Sequence, residues 1–165
     1  CQYYAFYMDI ATPEEFPELY ERMFTEFGPN RPDDCWPEVA RSNAFIGNFL
    51  RLETLDRYGE EETILREFTP YFGRMSRRTG TLWENNDPHA SCCHGFASYI
   101  CVLYAKIAFG YLGFDETDKT IILRENFRLS GSARFPVPGG FVGIEITNGT
   151  RAVSIPDGYE LKIVK

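Results

Sequence analysis

The chain has 165 residues and a net charge of −7, from 24 acidic and 17 basic side chains. The basic residues are scattered, and the broad basic face of a nucleic-acid binder is missing, which excludes that class of partner. With 44% hydrophobic residues and no low-complexity tract, the composition is that of one globular domain, or one domain with a small appendage.

Aromatic residues make up 16% of the chain. They fill cores, and they also supply the ring faces on which sugars stack. Five cysteines stand at positions 1, 35, 92, 93 and 101, with no C-x-x-C spacing among them. They read as small buried thiols in a reduced protein, without a metal site. The chain opens on Cys1, in a segment already patterned as helix, which reads as a piece of a longer protein.

Residues 2–10 look like the tail of a helix. Thr12 then caps a second helix running to Gly28, with Pro13 at its first position and Glu14 and Glu15 in its first turn. The stretch "PNRPDDCWP" is a loop. A third helix starts at a Ser42 cap, presents Phe45, Ile46, Phe49, Leu50, Leu52 and Leu55, and closes at Gly59. A fourth covers about 60–78, with an acidic start and the basic end "RMSRR" that complements its dipole. Pro70 inside it predicts a kink or a split.

A fifth helix is expected over about 91–112, apolar nearly all round and therefore enclosed by others. Its length approaches a membrane span, but Lys106, His94 and the polar loop beside it exclude lipid, so no membrane partner is expected. After "GFDETD" come five short strand-like runs, punctuated by "GS", "PGG", "NGT" and "PDG". These predict a small antiparallel β-domain, with Asn148-Gly149 as a tight turn rather than a glycosylation site. The expected class is mainly α, with paired helices forming part of an α/α toroid over residues 1–116 and the β-domain over 117–165.

The stretch "TLWENNDPH", residues 81–89, crowds polar groups against the apolar helix. By residue type it is either a loop capping a core helix or one wall of a site. Glu84 is the candidate acid, and Asn85, Asn86 and Asp87 stand ready to hydrogen-bond it, a water or a ligand. Trp83 and His94 flank it. Trp36 and Glu38, on the "DDCWPE" loop, are a second candidate surface, while Asp33, Asp34 and His89 read as solvated.

Several runs carry a resemblance to a known family: "FIG" at 45–47, "TGTLWE" at 79–84, "SCCHGFAS" at 91–98, and the closing β-domain. Together they make nearly the whole chain resemble the C-terminal part of α-L-rhamnosidases of glycoside hydrolase family 78. The resemblance implies the last helices of an (α/α)6 barrel followed by a β-domain, in an inverting hydrolase that releases terminal rhamnose from glycosides. Carried onto this sequence, Glu84 matches the general base and His94 a histidine set against the sugar. Trp83, Trp36 and Asn86 are the further substrate-binding candidates. The loop between Glu84 and His94 is shorter than in many relatives.

The family's general acid has no counterpart here, so the chain alone is expected to be incomplete and inactive. Its expected partners are a rhamnoside substrate and the rest of the barrel, in cis or in trans. Homo-oligomerisation through exposed apolar surface is a further expectation. The reaction calls for no metal and no cofactor. The alternative is a non-catalytic carbohydrate-binding or protein-interaction module on a degenerate barrel.

Overall fold

The computed structural model describes residues 2–42 and 45–165. Asn43 and Ala44, at the expected start of the third helix, and Cys1 lie outside the described residues. The chain divides into two compact units, residues 1–100 and 101–165. The class is mixed rather than mainly α, with helices first and six strands after them.

In the first unit, α1 spans Gln2–Tyr7 and α2 spans Pro17–Thr25. Helix α2 starts at Pro17, four residues later than the Thr12 signal predicts. Thr12 does cap a turn, accepting a hydrogen bond from the Glu15 amide at 3.3 Å. That turn ends at Phe16, whose backbone is driven out of the helical region (φ −131°, ψ 58°) by the ring of Pro17 behind it. The second proline of "TPEEFPEL" therefore restarts the helix.

Helix α3 covers Phe45–Arg57 and α4 covers Glu61–Thr79, the latter one element with Pro70 inside it rather than two. Leu50, Leu52 and Leu55 of α3 are buried with Phe6, Met23, Phe24, Ile64, Phe72 and Met75, while Ile46 is exposed. The side of α3 that meets its neighbours is not purely apolar, because Asn48, Arg51 and Thr54 are buried there too.

Arg51 is fully buried and joins four segments. It donates to Glu67 of α4 through Nε at 3.1 Å and Nη2 at 2.5 Å, and to the Met23 and Phe24 carbonyls at the end of α2. It also donates to the Tyr3 hydroxyl of α1 at 3.3 Å. Burial pushes the Arg51 pKa down, but the Glu67 carboxylate and the Tyr3 oxygen more than offset this and leave it above its ordinary value. Gly28 is the residue that lets Glu67 in, since a Cβ there would stand 2.7 Å from Glu67 Oε1. A second polar tie links α3 to α4, with Asn48 Nδ2 donating to the Tyr71 hydroxyl at 3.1 Å.

The apolar segment expected as one helix over 91–112 is three elements. Gly95–Ser98 is a 3-10 turn, α5 is Tyr99–Phe109, and Tyr111–Asp115 is strand β1. Helix α5 is not enclosed on every side, because Cys101 and Val102 are exposed. The cysteines are correspondingly less buried than expected. Cys93 and Cys101 are exposed, Cys35 and Cys92 half-buried, and Cys92 and Cys93 precede the helix instead of lying on it.

In the second unit the five expected runs are strands β2 (Thr120–Arg124), β3 (Gly131–Val137), β4 (Gly140–Thr147), β5 (Thr150–Ser154) and β6 (Glu160–Val164). They form two three-stranded sheets, β1-β2-β6 and β3-β4-β5. The second is an antiparallel meander; its β4–β5 turn is Asn148-Gly149, both at positive φ (51° and 75°), as a two-residue hairpin requires. The first sheet departs from the all-antiparallel expectation, because β6 lies parallel to β2. Parallel neighbours need a crossover, and here the whole β3–β5 meander supplies it. Ile121, Leu123, Val137, Val142, Ile144, Ile146 and Tyr159 make the common core of the two sheets.

Replacing Arg51 with Ala should lower stability by about 3–5 kcal/mol in a urea titration, since Glu67 would stay buried without its cation. A loss under about 1 kcal/mol would mean that this cluster does not tie the helices. Alkali should act through Tyr20, whose pKa is pushed from 10.0 to about 12 by burial, with the nearby Glu60 carboxylate adding to it. The folded chain holds that proton more tightly than the unfolded one. The contribution is therefore complete below about pH 10 and lost as pH rises through 12. Stability profiles over this window should be flatter for Tyr20→Phe than for wild type, and identical profiles would contradict the assignment.

Candidate functional site

Helix α4 closes at Gly80, whose amide donates to the Ser76 carbonyl at 2.8 Å. The chain then runs into the polar loop and returns to the 3-10 turn at Gly95. Two backbone hydrogen bonds pinch this excursion at its neck. The His94 amide donates to the Leu82 carbonyl, and the Glu84 amide donates to the Ser91 carbonyl, each at 2.9 Å. Those peptide groups are committed across the loop instead of along a helix, which is why the apolar segment does not become helical before Gly95.

A side-chain relay reinforces the neck. Trp83 Nε1 donates to Thr79 Oγ1 at 2.8 Å, Thr79 Oγ1 lies 2.7 Å from Thr81 Oγ1, and Thr81 donates to the Cys92 carbonyl. The Thr79 hydroxyl also lies 3.2 Å from the Met75 carbonyl, so its proton is shared between that oxygen and Thr81 Oγ1, while the Thr81 proton goes to Cys92. Beyond the neck the tip is built from side-chain turns. Asn85 Oδ1 accepts from the Asp87 amide at 2.8 Å, and Asp87 Oδ1 accepts from the His89 amide at 2.9 Å.

Glu84 and His94 thus sit at the same neck, both half-buried. The His94 ring packs on Phe45, with centroids 4.5 Å apart. Phe96 in turn packs on Phe45 at 5.0 Å and on Phe49 at 5.3 Å. Among the described residues, neither the Glu84 carboxylate nor the His94 imidazole has a hydrogen-bond partner. The local fold fixes both through the backbone and leaves their polar atoms uncommitted.

The other candidates are placed differently. Trp83 is 2% exposed, so it does not offer an open ring face to a ligand. The guanidinium groups of Arg74 and Arg78 lie over its ring, at 5.7 and 5.6 Å from the centroid. Trp83 is the anchor of the loop, not an open stacking surface for a sugar. Asn86 is exposed at the tip, while Asn85 and Asp87 spend polar atoms on the turns and not on Glu84.

Trp36 packs locally. Its Nε1 donates to the Glu26 carboxylate, Phe27 meets it edge-on at 6.0 Å, and Arg22 lies 5.1 Å from its ring centroid. No contact among the described residues joins it to Glu84 or His94. Glu38, Asp34 and His89 are exposed, and Asp33 pairs with Arg41 at 2.6 Å. No group of three or more His, Cys, Asp or Glu among the described residues is arranged to hold a metal ion.

Two features of the site went unread in the sequence. The threonine pair of "TGT" is a plain turn signal by composition, and its relay role appears only once Trp83 folds back onto Thr79. The Phe45 and Phe96 support of His94 joins residues about fifty positions apart, which no local pattern reveals.

No family model matches the chain, and no curated protein matches it. A solved structure does. The crystal structure of a GH78 family rhamnosidase from Bacillus sp. GL1 is similar, with a TM-score of 0.64 at 16% identity, over 99% of this chain. The chain spans 19% of the length of that protein. At this identity the likeness is one of fold.

The relay makes a direct prediction. Thr79→Val keeps the shape but leaves the Trp83 N–H buried without an acceptor. It should cost about 1–3 kcal/mol and release the loop neck to faster amide exchange at Glu84 and His94. Unchanged exchange at both amides would show that the relay does not hold the neck.

Proposed function

We propose that this chain is the C-terminal portion of a glycoside hydrolase, an inverting enzyme of the α-L-rhamnosidase kind, with Glu84 as general base. The helical part would be the last stretch of an (α/α)6 barrel, followed by the β-domain. The observation that carries the reading is the state of Glu84 and His94. Both are half-buried at one loop neck, held by the backbone, with polar atoms free among the described residues.

An inverting glycosidase needs such a carboxylate. The base must be ionised, must not be spent on a fixed internal partner, and must face a water near the anomeric carbon. The general acid would stand about 6.5–9.5 Å away across the sugar, leaving room for that water. That acid belongs to a segment outside this sequence, so the chain by itself supplies one half of the machinery. His94, steadied by Phe45, would hydrogen-bond a sugar hydroxyl. Trp83 would act indirectly, by anchoring the neck that presents Glu84. The similarity in fold to a rhamnosidase supports a glycoside-hydrolase reading, and the choice of rhamnose rests on the resemblance carried by the runs around Glu84 and His94.

One observation favours the non-catalytic alternative. The cleft beside the neck, lined by Phe45, Phe49, Tyr71, Trp83 and Phe96 but by neither Glu84 nor His94, holds about 10 Å³, room for one water and no sugar, so the chain's own residues enclose no sugar pocket there. A sugar pocket would then need walls from the missing segment.

The deciding experiment is rhamnosidase activity of the full-length protein with Glu84→Gln against wild type. A fall of about three or more orders of magnitude in kcat, with rhamnose binding retained, is the expected result. Activity within a few-fold of wild type would make Glu84 a loop acid and leave the non-catalytic reading standing.

A further inference from the structure

Strand β6 is the outer strand of the first sheet, and its free edge has an unusual composition. Its register with β2 sets Leu161 beside Ile121 and Ile163 beside Leu123. Registered neighbours point to the same face of a sheet. Ile121 and Leu123 are fully buried in the core, yet Leu161 is 41% and Ile163 56% exposed. The core side of the sheet therefore continues past the cover that the β3-β4-β5 sheet provides.

The hydrogen-bond parity of β6 is also fixed. The Glu160 amide donates to the Lys119 carbonyl at 2.8 Å, and the Glu125 amide donates to the Val164 carbonyl at 2.7 Å. Residues 160, 162 and 164 thus spend their backbone groups on β2, and the N–H and C=O groups of Leu161 and Ile163 point to the free edge. Among the described residues nothing pairs with them. An edge of this kind is a template for another strand.

We propose that β6 pairs antiparallel with β6 of a second copy of this chain, in the register centred on Leu161. The choice of occupant and register follows from charge. Centring on Leu161 sets Glu160 opposite Lys162 of the partner, and two-fold symmetry repeats the pair. Two cross-strand ion pairs then flank a Leu161–Leu161 contact, and Ile163 meets Tyr159 on the core side. The Glu160–Lys162 positions are non-hydrogen-bonded ones, where opposed side chains come closest. Centring on Lys162 would oppose two lysines, and centring on Ile163 would set Leu161 against Lys165 with no ion pair. A lysine on an edge strand ordinarily blocks pairing; here the strand carries its own neutralising acid two residues away. The proposal does not depend on the hydrolase reading.

Sedimentation of the 165-residue chain between about 1 μM and 1 mM tests this. A dimer that dissociates on dilution is expected. Glu160→Lys and Lys162→Glu, both exposed, should each weaken it at least about tenfold, since two attractions become two repulsions. The double charge swap, Glu160→Lys with Lys162→Glu, should restore it, and unchanged urea midpoints will show that all three variants fold. A wild-type chain that is monomeric at about 1 mM overturns the proposal. So does a dimer that none of the variants moves, which would lie on another surface. A dimer strengthened by the neutral variant Lys162→Gln, which removes two opposed lysines, and indifferent to Glu160→Lys would mean the lysine-centred register, and it overturns the one proposed.

Discussion

The helical unit depends on one buried cation. Arg51 sits where α1, the end of α2 and α4 converge on α3, and its five donors are distributed among a hydroxyl, two carbonyls and a carboxylate. A hydrophobic residue there would stabilise by area alone and would tolerate many arrangements. A guanidinium does the opposite, because its planar fork is satisfied only when every acceptor is in place. The burial is expensive, and it is tolerated because Glu67 and the carbonyls compensate it completely. The neighbouring Asn48–Tyr71 bond applies the same logic to α3 and α4. The constraint reaches Gly28, where only the lack of a side chain lets Glu67 approach.

This framework sets the site. Helix α4, held by Glu67 and Tyr71, ends where the loop begins, so the position of Thr79 is inherited from the core. From Thr79 the relay runs through Thr81 to Cys92, and Trp83 is locked beneath the neck. The polar loop is thus divided by role. Buried and backbone groups carry the shape, the Glu84 and His94 amides among them, and the polar side-chain atoms of these two residues carry none of it. A polar group with no structural duty is free to bind or react, whereas Asn85 and Asp87 are already committed to the turns they make.

The β-part shows a related division between parity and cover. Strand alternation decides which side chains face the core, but it does not decide how far the opposing sheet extends. Ile121 and Leu161 share a face and a register, and only the first is covered.

Most of the elements were legible in the sequence, since they rest on local physics. Helical spacing marked α3 and α4, Gly59 marked an end, and Asn148-Gly149 marked a hairpin because that dipeptide suits two consecutive positive φ angles. The polar crowding of residues 81–89 marked the loop and Glu84 with it. The misreadings have a common cause: a competing long-range or neighbouring term outweighed local preference. Pro17 overrode the Thr12 cap, and the neck bonds of Leu82 and Ser91 took residues 91–94 out of the apolar helix. Trp83 by type could be core or platform, and only its bond to Thr79 and the two arginines over its ring make it core.

The sequence by itself determined that helices come first and strands β2 to β6 after them, most of the turns between them, and which acid lies beside the apolar segment, because these follow from periodicity and from backbone preference within a few residues. Tertiary structure alone decided that α3 buries an arginine, that β6 joins its sheet in parallel, and that His94 rests on Phe45 at the neck shared with Glu84. Each of these joins groups far apart in the chain, and their free energy exists only once the intervening segments have folded.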